Sequence, residues 1–329
     1  MYTKTCLFIL LGVAVLLLPL WSYSQACDSV KLKDFPANDL PTAADRKKLK
    51  KEESYKYYYG IGVPIDYVKA RKLAFIEWGA ADNYGPFEGP GILLMLYANG
   101  YGVKRNLDLC IRLACANIGG AMAEVEGRVQ HLRELKGNGP KEVFDVCDDA
   151  TSGYMSGWCQ SIQTELAEIK RDAAIQTIIN KWPKQHKVAY AQLRKAVSAF
   201  FSERVEQEVD MSGTARVMIG MEENDSLEDN FLHKLEAADK CRFNNYTEQD
   251  YASADKELNA LYKKIMGLKE LHYGSVTREG IKTTQRAWIG YRDAWVRFGV
   301  VRCPKVSAVS WKMMITLDRI EQLKEFADD

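Results

Sequence analysis

The residues of this chain best suited to chemistry are its histidines and carboxylates, and their spacing matches no common catalytic pattern. No His-Glu-x-x-His segment places two zinc ligands on one helix face. Gly-x-Ser-x-Gly, which presents a serine nucleophile on a sharp turn, is also absent, as is the phosphate-binding Gly-x-x-x-x-Gly-Lys. We expect surface or packing roles for the four histidines, which are His131, His186, His233 and His272.

Neighbouring carboxylates occur at Glu222–Glu223 and Asp328–Asp329. Glycoside hydrolysis uses a carboxylate pair, and the sequence leaves that chemistry open. Solvated pairs on helices are common, however, so these residues do not point to catalysis. The two Gly-x-Gly segments at 60–62 and 100–102 follow no predicted strand and are not dinucleotide loops. We therefore expect no enzyme, no metal and no cofactor, and a chain that acts by binding another protein.

Composition excludes two other classes of protein. The formal net charge is +1, from 45 basic and 44 acidic residues, and there is no basic stripe for nucleic-acid phosphates. A hydrophobic content of 47% excludes general disorder.

The first 26 residues read as a signal peptide. Lys4 precedes an uncharged apolar run from Cys6 to Trp21, and Ser24 and Ala26 stand at the −3 and −1 positions for cleavage. The run is shorter than the ~20 residues of a membrane-spanning helix. The resulting expectation is a periplasmic protein that begins at Cys27. Lipidation of Cys27 is the alternative, although Ser-Gln-Ala before it matches the usual Leu-Ala-Gly poorly.

Export permits disulfides, and the mature chain holds seven cysteines. If Cys27 is lipidated, six remain for three bridges; otherwise one thiol is left over. Cys110 and Cys115 point in different directions on a predicted helix and should not pair with each other. We expect Cys110 to pair with Cys147 or Cys159, and Cys115 with the other. No Cys-x-x-Cys spacing indicates a zinc or redox site.

The clearest element pattern is a self-match at an offset of 40 residues. Tyr57 matches Tyr97, and the segment Gly60-x-Gly62-Val63 matches Gly100-x-Gly102-Val103. A fixed period of this size indicates stacked helix-turn-helix units, with glycines in the turns. The second helices are predicted at residues 67–79 and 107–118. The segments 57–82 and 94–121 resemble the Sel-one-like repeat, which implies an adaptor surface built from residues 38–136.

The C-terminal part has helical periodicity at residues 246–269, 281–298 and 313–323. Thr247 with Asp250 is expected to cap the first of these helices. Antiparallel packing would bring together the position before the first helix and the position after the second. Cys241–Cys303 is therefore the favoured disulfide.

Two segments here, "DKELNALYKKI" and "TQRAWIGYRDAW", resemble the LprI lysozyme-inhibitor family over roughly residues 237–325. Many members carry a cysteine shortly after Arg-Asp, where this chain has Trp295; the resemblance then implies that Cys303 replaces it, in a different bridging pattern. The positions that fit the motif are Asp255, Leu258, Asn259, Tyr262, Gln285, Arg286, Trp288, Tyr291, Arg292 and Asp293.

Two interpretations of these motif residues stay open. In the first, Arg286, Arg292 and Asp293 form a binding face. In the second, Asp255, Asn259 and Arg292 bond across the hairpin beneath Trp288, because buried charges must be paired. The second is favoured.

Together these patterns predict an all-α fold, a short helix-turn-helix solenoid followed by an antiparallel helical bundle. The expected regions are a signal peptide at 1–26, repeats at 27–136, a helical connection at 137–236 and an LprI-like domain at 237–329. The resemblances imply an inhibitor of an envelope-attacking enzyme, either a lysozyme or a type VI secretion toxin such as a phospholipase. The alternative is a periplasmic adaptor. Candidate anchors for the partner are the tyrosines of 55–59, Tyr84, Tyr101 and Trp158.

Overall fold

The computed structural model describes residues 30–49, 51–79, 85–116, 118, 120–138 and 142–327. This part of the chain forms twelve α-helices and two short 3₁₀ helices, with no β-strand, so the predicted all-α class is confirmed. The expected signal peptide, Cys27 and Tyr84 lie outside these residues. None of the described helices is both long and apolar enough to cross a membrane.

The helices follow one another with short connections. Those of the N-terminal half are α1 (Ala43–Lys48), α2 (Ser54–Tyr59), α3 (Tyr67–Trp78), α4 (Gly89–Asn99), α5 (Leu107–Ala116) and α6 (Met122–Asn138). Those of the C-terminal half are α7 (Gly153–Ile179), α8 (Lys184–Glu208), α9 (Arg216–Asp239), α10 (Glu248–Gly267), α11 (Arg278–Arg302) and α12 (Ala308–Lys324).

The turns α2–α3 and α4–α5 have the same backbone geometry. Gly60 and Gly100 end α2 and α4 in the left-handed region, at φ 77° and 72°, where a side chain would be strained. After each turn, a backbone N–H bonds to the carbonyl of the repeated tyrosine, Asp66 to Tyr57 and Asn106 to Tyr97, both at 3.0 Å. The sequence offset of 40 thus corresponds to two structurally equivalent helix pairs.

The helix pairs share one hydrophobic core, with α4 at its centre. Every residue of α4 from Gly89 to Ala98 is buried. Phe75, Phe87 and Phe144 are among the largest fully buried side chains of this core. Burial on all sides explains why α4 is apolar throughout rather than along one stripe.

A second core lies in the C-terminal half, and α11 occupies its middle. This helix packs against α8 and α12, and α10 packs along α12. The Trp295 and Trp311 rings stack with centroids 6.0 Å apart. Gly299 permits this approach, since a Cβ there would lie 2.2 Å from the Trp311 ring.

The antiparallel neighbour of α11 differs from the expected one. The sequence predicted that α10 and α11 would pair directly, but each approaches α12 more closely than it approaches the other. The apolar seam of α11 is instead covered by α8, where Phe200 stacks on Tyr291 at 4.9 Å. From the sequence, α8 was predicted only as part of the helical connection at 137–236, so this partner of α11 was not expected.

Helix α7 contributes to both cores. Its first half places Met155 and Ile162 in the N-terminal core, and its second half places Ile175 and Ile178 in the C-terminal core. A single 27-residue helix therefore connects the repeated helix pairs to the C-terminal bundle.

The disulfides agree with the sequence analysis at one place and correct it at another. Cys241, after α9, bonds to Cys303, after α11, as expected. The predicted pairing of Cys110 with Cys147 or Cys159 is wrong, because Cys147 and Cys159 bond to each other. The turn before α7 folds back onto that helix and brings these two cysteines together. Cys110 is a buried free thiol, and Cys115 is disulfide-bonded.

Candidate binding surfaces

The apolar and aromatic motif residues of α10 and α11 belong to the C-terminal core. Leu258, Trp288 and Tyr291 are buried, and Tyr262 is partly buried against the same core. Burial raises the pKa of the Tyr291 hydroxyl above its usual range. These four residues support the fold and present little surface to a partner.

Gln285 takes part in a buried polar network. Its Oε1 accepts a hydrogen bond from Nε of Arg319 at 2.9 Å. Both terminal nitrogens of Arg319 donate to Glu208, at 2.7 and 2.6 Å, and Arg204 donates to the same carboxylate at 3.0 Å. The network joins α8, α11 and α12. The motif glutamine, Gln285, thus has a structural role, because it holds the Arg319 side chain in this network.

The remaining polar motif residues form a strip across the surface of α10 and α11. On α10, Nδ2 of Asn259 donates to Oδ2 of Asp255 at 2.9 Å. On α11, the Arg292 guanidinium donates to Oδ1 of Asp293 at 2.9 and 3.0 Å. Tyr251 joins the two halves, with its hydroxyl 3.4 Å from Nη1 of Arg292 and 3.5 Å from Oδ1 of Asp255.

This strip has features of both interpretations of the motif. The Arg292 guanidinium lies over the buried Trp288 ring, 5.2 Å from its centroid, so it contributes to packing. Asn259 is exposed, however, and Arg292 and Asp293 are only partly buried. Tyr251, which completes the strip, is outside the recognised motif. Its place one helical turn before Asp255 is the signal that could have identified it.

Arg286 is the motif residue most open to a partner. It is exposed on α11, and no ion pair or hydrogen bond holds its side chain within the described residues. Arg297 is likewise exposed on α11 without such a partner in this part of the chain, but it lies outside the motif.

Of the aromatic residues predicted as anchors, two line a common cleft. Tyr55 and Trp158 both line a cleft between α2, α3 and α7. Tyr58 is buried, and Tyr101 stacks on Tyr67 at 4.6 Å within the helix pairs. Tyr57 and Tyr59 are also partly buried there, donating hydrogen bonds to Glu52 and Asp145.

The cleft at Trp158 has a volume of about 410 Å³ and an acidic lining. One of its carboxylates, Glu77, accepts hydrogen bonds from Ser54 N and Oγ at 2.6 and 2.5 Å and from Gly89 N at 2.9 Å. Burial nevertheless raises the pKa of Glu77, because desolvation outweighs these donors. The other carboxylates are Glu52, Glu53, Glu88 and Glu165, and Lys51 is the basic lining residue.

On the other side of Trp158 lies an apolar groove of about 500 Å³ between the first turns of α7 and α9. Gly153 and Gly157 line it on α7, and Val217 and Met221 line it on α9. Tyr154 and Val217 are 61% and 49% exposed, which is high for apolar side chains of this size. This groove has no signal in the sequence, because its two walls lie about 60 residues apart along the chain.

The histidines and acidic pairs show no catalytic arrangement within the described residues. His131 lies 3.3 Å from Asp149, and Glu223 accepts a hydrogen bond from Arg204 at 2.8 Å. The described part of the chain contains no histidine, cysteine and carboxylate group suited to a metal ion. Asp328 and Asp329 lie outside it.

Comparison with known proteins agrees with the C-terminal motifs. Residues 234–323 match the family model described as lysozyme inhibitor LprI. The match spans the end of α9, all of α10 and α11, and α12 up to Leu323, and therefore includes every motif residue. No curated protein and no solved structure gives a significant match to the chain. The Sel-one-like resemblance of the N-terminal helix pairs stays a prediction.

Proposed function

We propose that this chain is an exported inhibitor that binds an enzyme of the lysozyme class and blocks its active-site cleft. The observation that carries the proposal is the match of residues 234–323 to the lysozyme inhibitor LprI family. Inhibition of this kind requires no reaction by the inhibitor. An interface of ~1,600 Å², held by a few well-placed aromatic or arginine side chains, is sufficient.

The geometry supports a rigid inhibitor. Helices α10 and α11 rest on a core of tryptophans and on the buried contacts of Arg319, so the surface strip and Arg286 are held on a fixed scaffold. A rigid surface loses little conformational entropy when it binds. Arg286 can therefore act as an anchor without rearrangement of the fold.

The proposal includes the expected location and organisation. A signal peptide at 1–26 would direct the chain to the periplasm, with or without a lipid on Cys27. The repeats at 27–136 and the connection at 137–236 would precede the inhibitor domain at 237–329.

A lysozyme assay tests the proposal directly. The chain from Cys27 onward should inhibit cell-wall lysis by lysozyme, with saturation near one inhibitor per enzyme. Arg286→Ala should weaken binding by ~2 kcal/mol or more without lowering the melting temperature, as expected of an anchor. Arg297→Ala is the matched control on the same helix and should leave inhibition unchanged. Absence of inhibition at equimolar protein would reject lysozyme as the target.

The repeated helix pairs support a second candidate, a periplasmic adaptor. Two equivalent pairs, α2–α3 and α4–α5, are the kind of stacked unit that builds extended binding surfaces. A pull-down from envelope extract separates the candidates. Capture of a lytic enzyme or a secreted toxin near one-to-one favours an inhibitor or immunity protein, whereas capture of wall-assembly proteins favours the adaptor.

A further inference from the structure

The acidic cleft and the apolar groove meet at one place on α7. Trp158 and Ser161 line both cavities, so the two form one continuous surface, which we call the α7 surface. It combines the N-terminal helix pairs with the first turns of α7 and α9. It lies outside residues 234–323, and the family match therefore says nothing about it.

The apolar half of the α7 surface has room for a large side chain. The volume of about 500 Å³ is open space beside the line where α7 meets the start of α9. Gly153 and Gly157 allow that close packing, because a Cβ at Gly153 would lie 2.6 Å from the Thr214 carbonyl and one at Gly157 would lie 3.7 Å from Val217. Val217 and Met221 form the opposite wall. Arg216 also lines the groove, and its guanidinium is turned back to the carbonyl of Gly213, at 3.3 Å.

The acidic half is lined by five carboxylates and one basic side chain, that of Lys51, so negative charge predominates in the cleft. Glu52 is paired with Lys69 at 2.6 Å, and Glu53 with Lys56 at 2.5 Å. Glu88 and Glu165 line the same cleft, and neither side chain has an ion-pair or hydrogen-bond partner within the described residues. A cation entering the cleft would meet these two carboxylates.

Aromatic rings border the place where such a cation would lie. Tyr55 and Trp158 line the cleft together with Glu165. The Lys56 ammonium lies over the Tyr55 ring, 5.7 Å from its centroid, so Trp158 is the ring left for a further cation. Aromatic rings attract ammonium and guanidinium groups through their faces. Charge and aromatic lining thus select the same ligand chemistry, a lysine or arginine side chain.

We propose that the α7 surface binds a segment of a basic protein in which a lysine or arginine stands beside a large apolar side chain. The basic group enters the cleft at Glu88 and Glu165, and the apolar group enters the groove beside Tyr154 and Val217. This inference rests on the proposed function in one respect, that the basic protein is the inhibited enzyme. The chain would then hold its target at two places, the α7 surface and the exposed Arg286 on α11.

Peptide display on the full chain from Cys27 onward tests the chemistry without assuming the enzyme. Random twelve-residue peptides on phage should enrich for lysine or arginine within two positions of an aromatic or aliphatic residue. Binding of the best synthetic peptide should weaken at least tenfold in Glu165→Lys and in Val217→Glu. It should also weaken as salt is added, because an exposed charge contact is screened.

Two matched controls separate this site from general effects of charge and polarity. Glu168→Lys makes the same charge change one helical turn further along α7, at an exposed position that lines neither cavity. Val188→Glu changes a valine of similar exposure, 52% against 49% for Val217. Both should bind the peptide within twofold of the unaltered chain. No enrichment of basic and apolar peptides, or equal weakening by the controls, would overturn the inference.

The lysozyme assay then distinguishes the inference from the proposed function. Weaker inhibition in Glu165→Lys than in Glu168→Lys supports both. Peptide binding that depends on Glu165, in a chain that does not inhibit lysozyme, rejects the enzyme and keeps the α7 surface. Inhibition that is unchanged in Glu165→Lys keeps the inhibitor and overturns the use of this surface for its target.

Discussion

At position 208 one carboxylate accepts hydrogen bonds from two buried guanidinium groups, those of Arg204 and Arg319. The Arg319 and Glu208 side chains are both fully buried, and Glu208 is the carboxylate that pairs with Arg319 within the described residues. Loss of the Glu208 charge therefore leaves Arg319 without an ionic partner in a medium of low polarity. We expect Glu208→Gln to lower the free energy of unfolding by ~3–5 kcal/mol. Urea denaturation measures the change.

Glu325→Gln is the matched control for this substitution. Glu325 also pairs with Arg204, at 2.7 Å, but its side chain is 46% exposed. Water can replace such a partner, and the expected loss is about 1 kcal/mol or less. If both variants lost similar amounts of free energy of unfolding, burial would not be what determines how much the Glu208 network stabilises the fold.

Ionisation of the single residue Asp210 makes the stability of the fold depend on pH. Hydrogen bonds from Ser212, and next from Ser275, lower the pKa of Asp210 to about 2. The folded state therefore favours the ionised carboxylate, and the resulting stability is present above about pH 4 and lost as the pH falls toward 2. We expect the melting temperature of Asp210→Asn to lie below that of the unaltered chain at pH 5 and to converge with it near pH 2. A difference that stays constant over this range would contradict the assignment.

At the scale of helices, two of the disulfides tie together very different lengths of chain. Cys241–Cys303 spans 62 residues and joins the ends of α9 and α11, whereas Cys147–Cys159 spans 12. A longer closed loop removes more entropy from the unfolded chain. We expect the Cys241→Ser, Cys303→Ser double variant to lose ~4 kcal/mol and the Cys147→Ser, Cys159→Ser variant ~3 kcal/mol, by the loop-closure relation.

Urea denaturation of each double variant gives these losses. Cys110→Ala serves as the comparison, because Cys110 is a free thiol and its removal breaks no cross-link. A larger loss on removing the shorter loop would show that native contacts, not loop length, set the contribution of the disulfides.

Across the whole molecule, the features predicted from sequence are those set by neighbouring residues. Gly60 and Gly100 gave the repeated turns, because a left-handed backbone has a local sequence signal. Thr247 caps α10 with Asp250 as expected, through a capping box formed within four residues. The all-α class follows from such local patterns.

The features that were missed depend on residues far apart in the chain. Arg319 meets Glu208 across 111 residues, and no periodicity within one helix indicates which carboxylate an arginine will reach. The α7 surface likewise depends on how α7 lies against α3 and α9. For the cysteines, the positions of Cys110 and Cys115 on one helix excluded a bond between these two. Nothing local in the sequence showed that the turn before α7 would fold back and bring Cys147 to Cys159.

The two cores give the last prediction, which concerns the cooperativity of unfolding. Leu96 lies in the N-terminal core and Leu235 in the C-terminal core, and both are fully buried. Since α7 is the helix with buried residues in both, we expect calorimetry to resolve two transitions. Each Leu→Ala change should lower the free energy of unfolding of its own core by ~2–5 kcal/mol. The transition temperature of that core should fall, and that of the other core should change little. A single transition, shifted equally by both changes, would mean that α7 couples the cores into one cooperative unit.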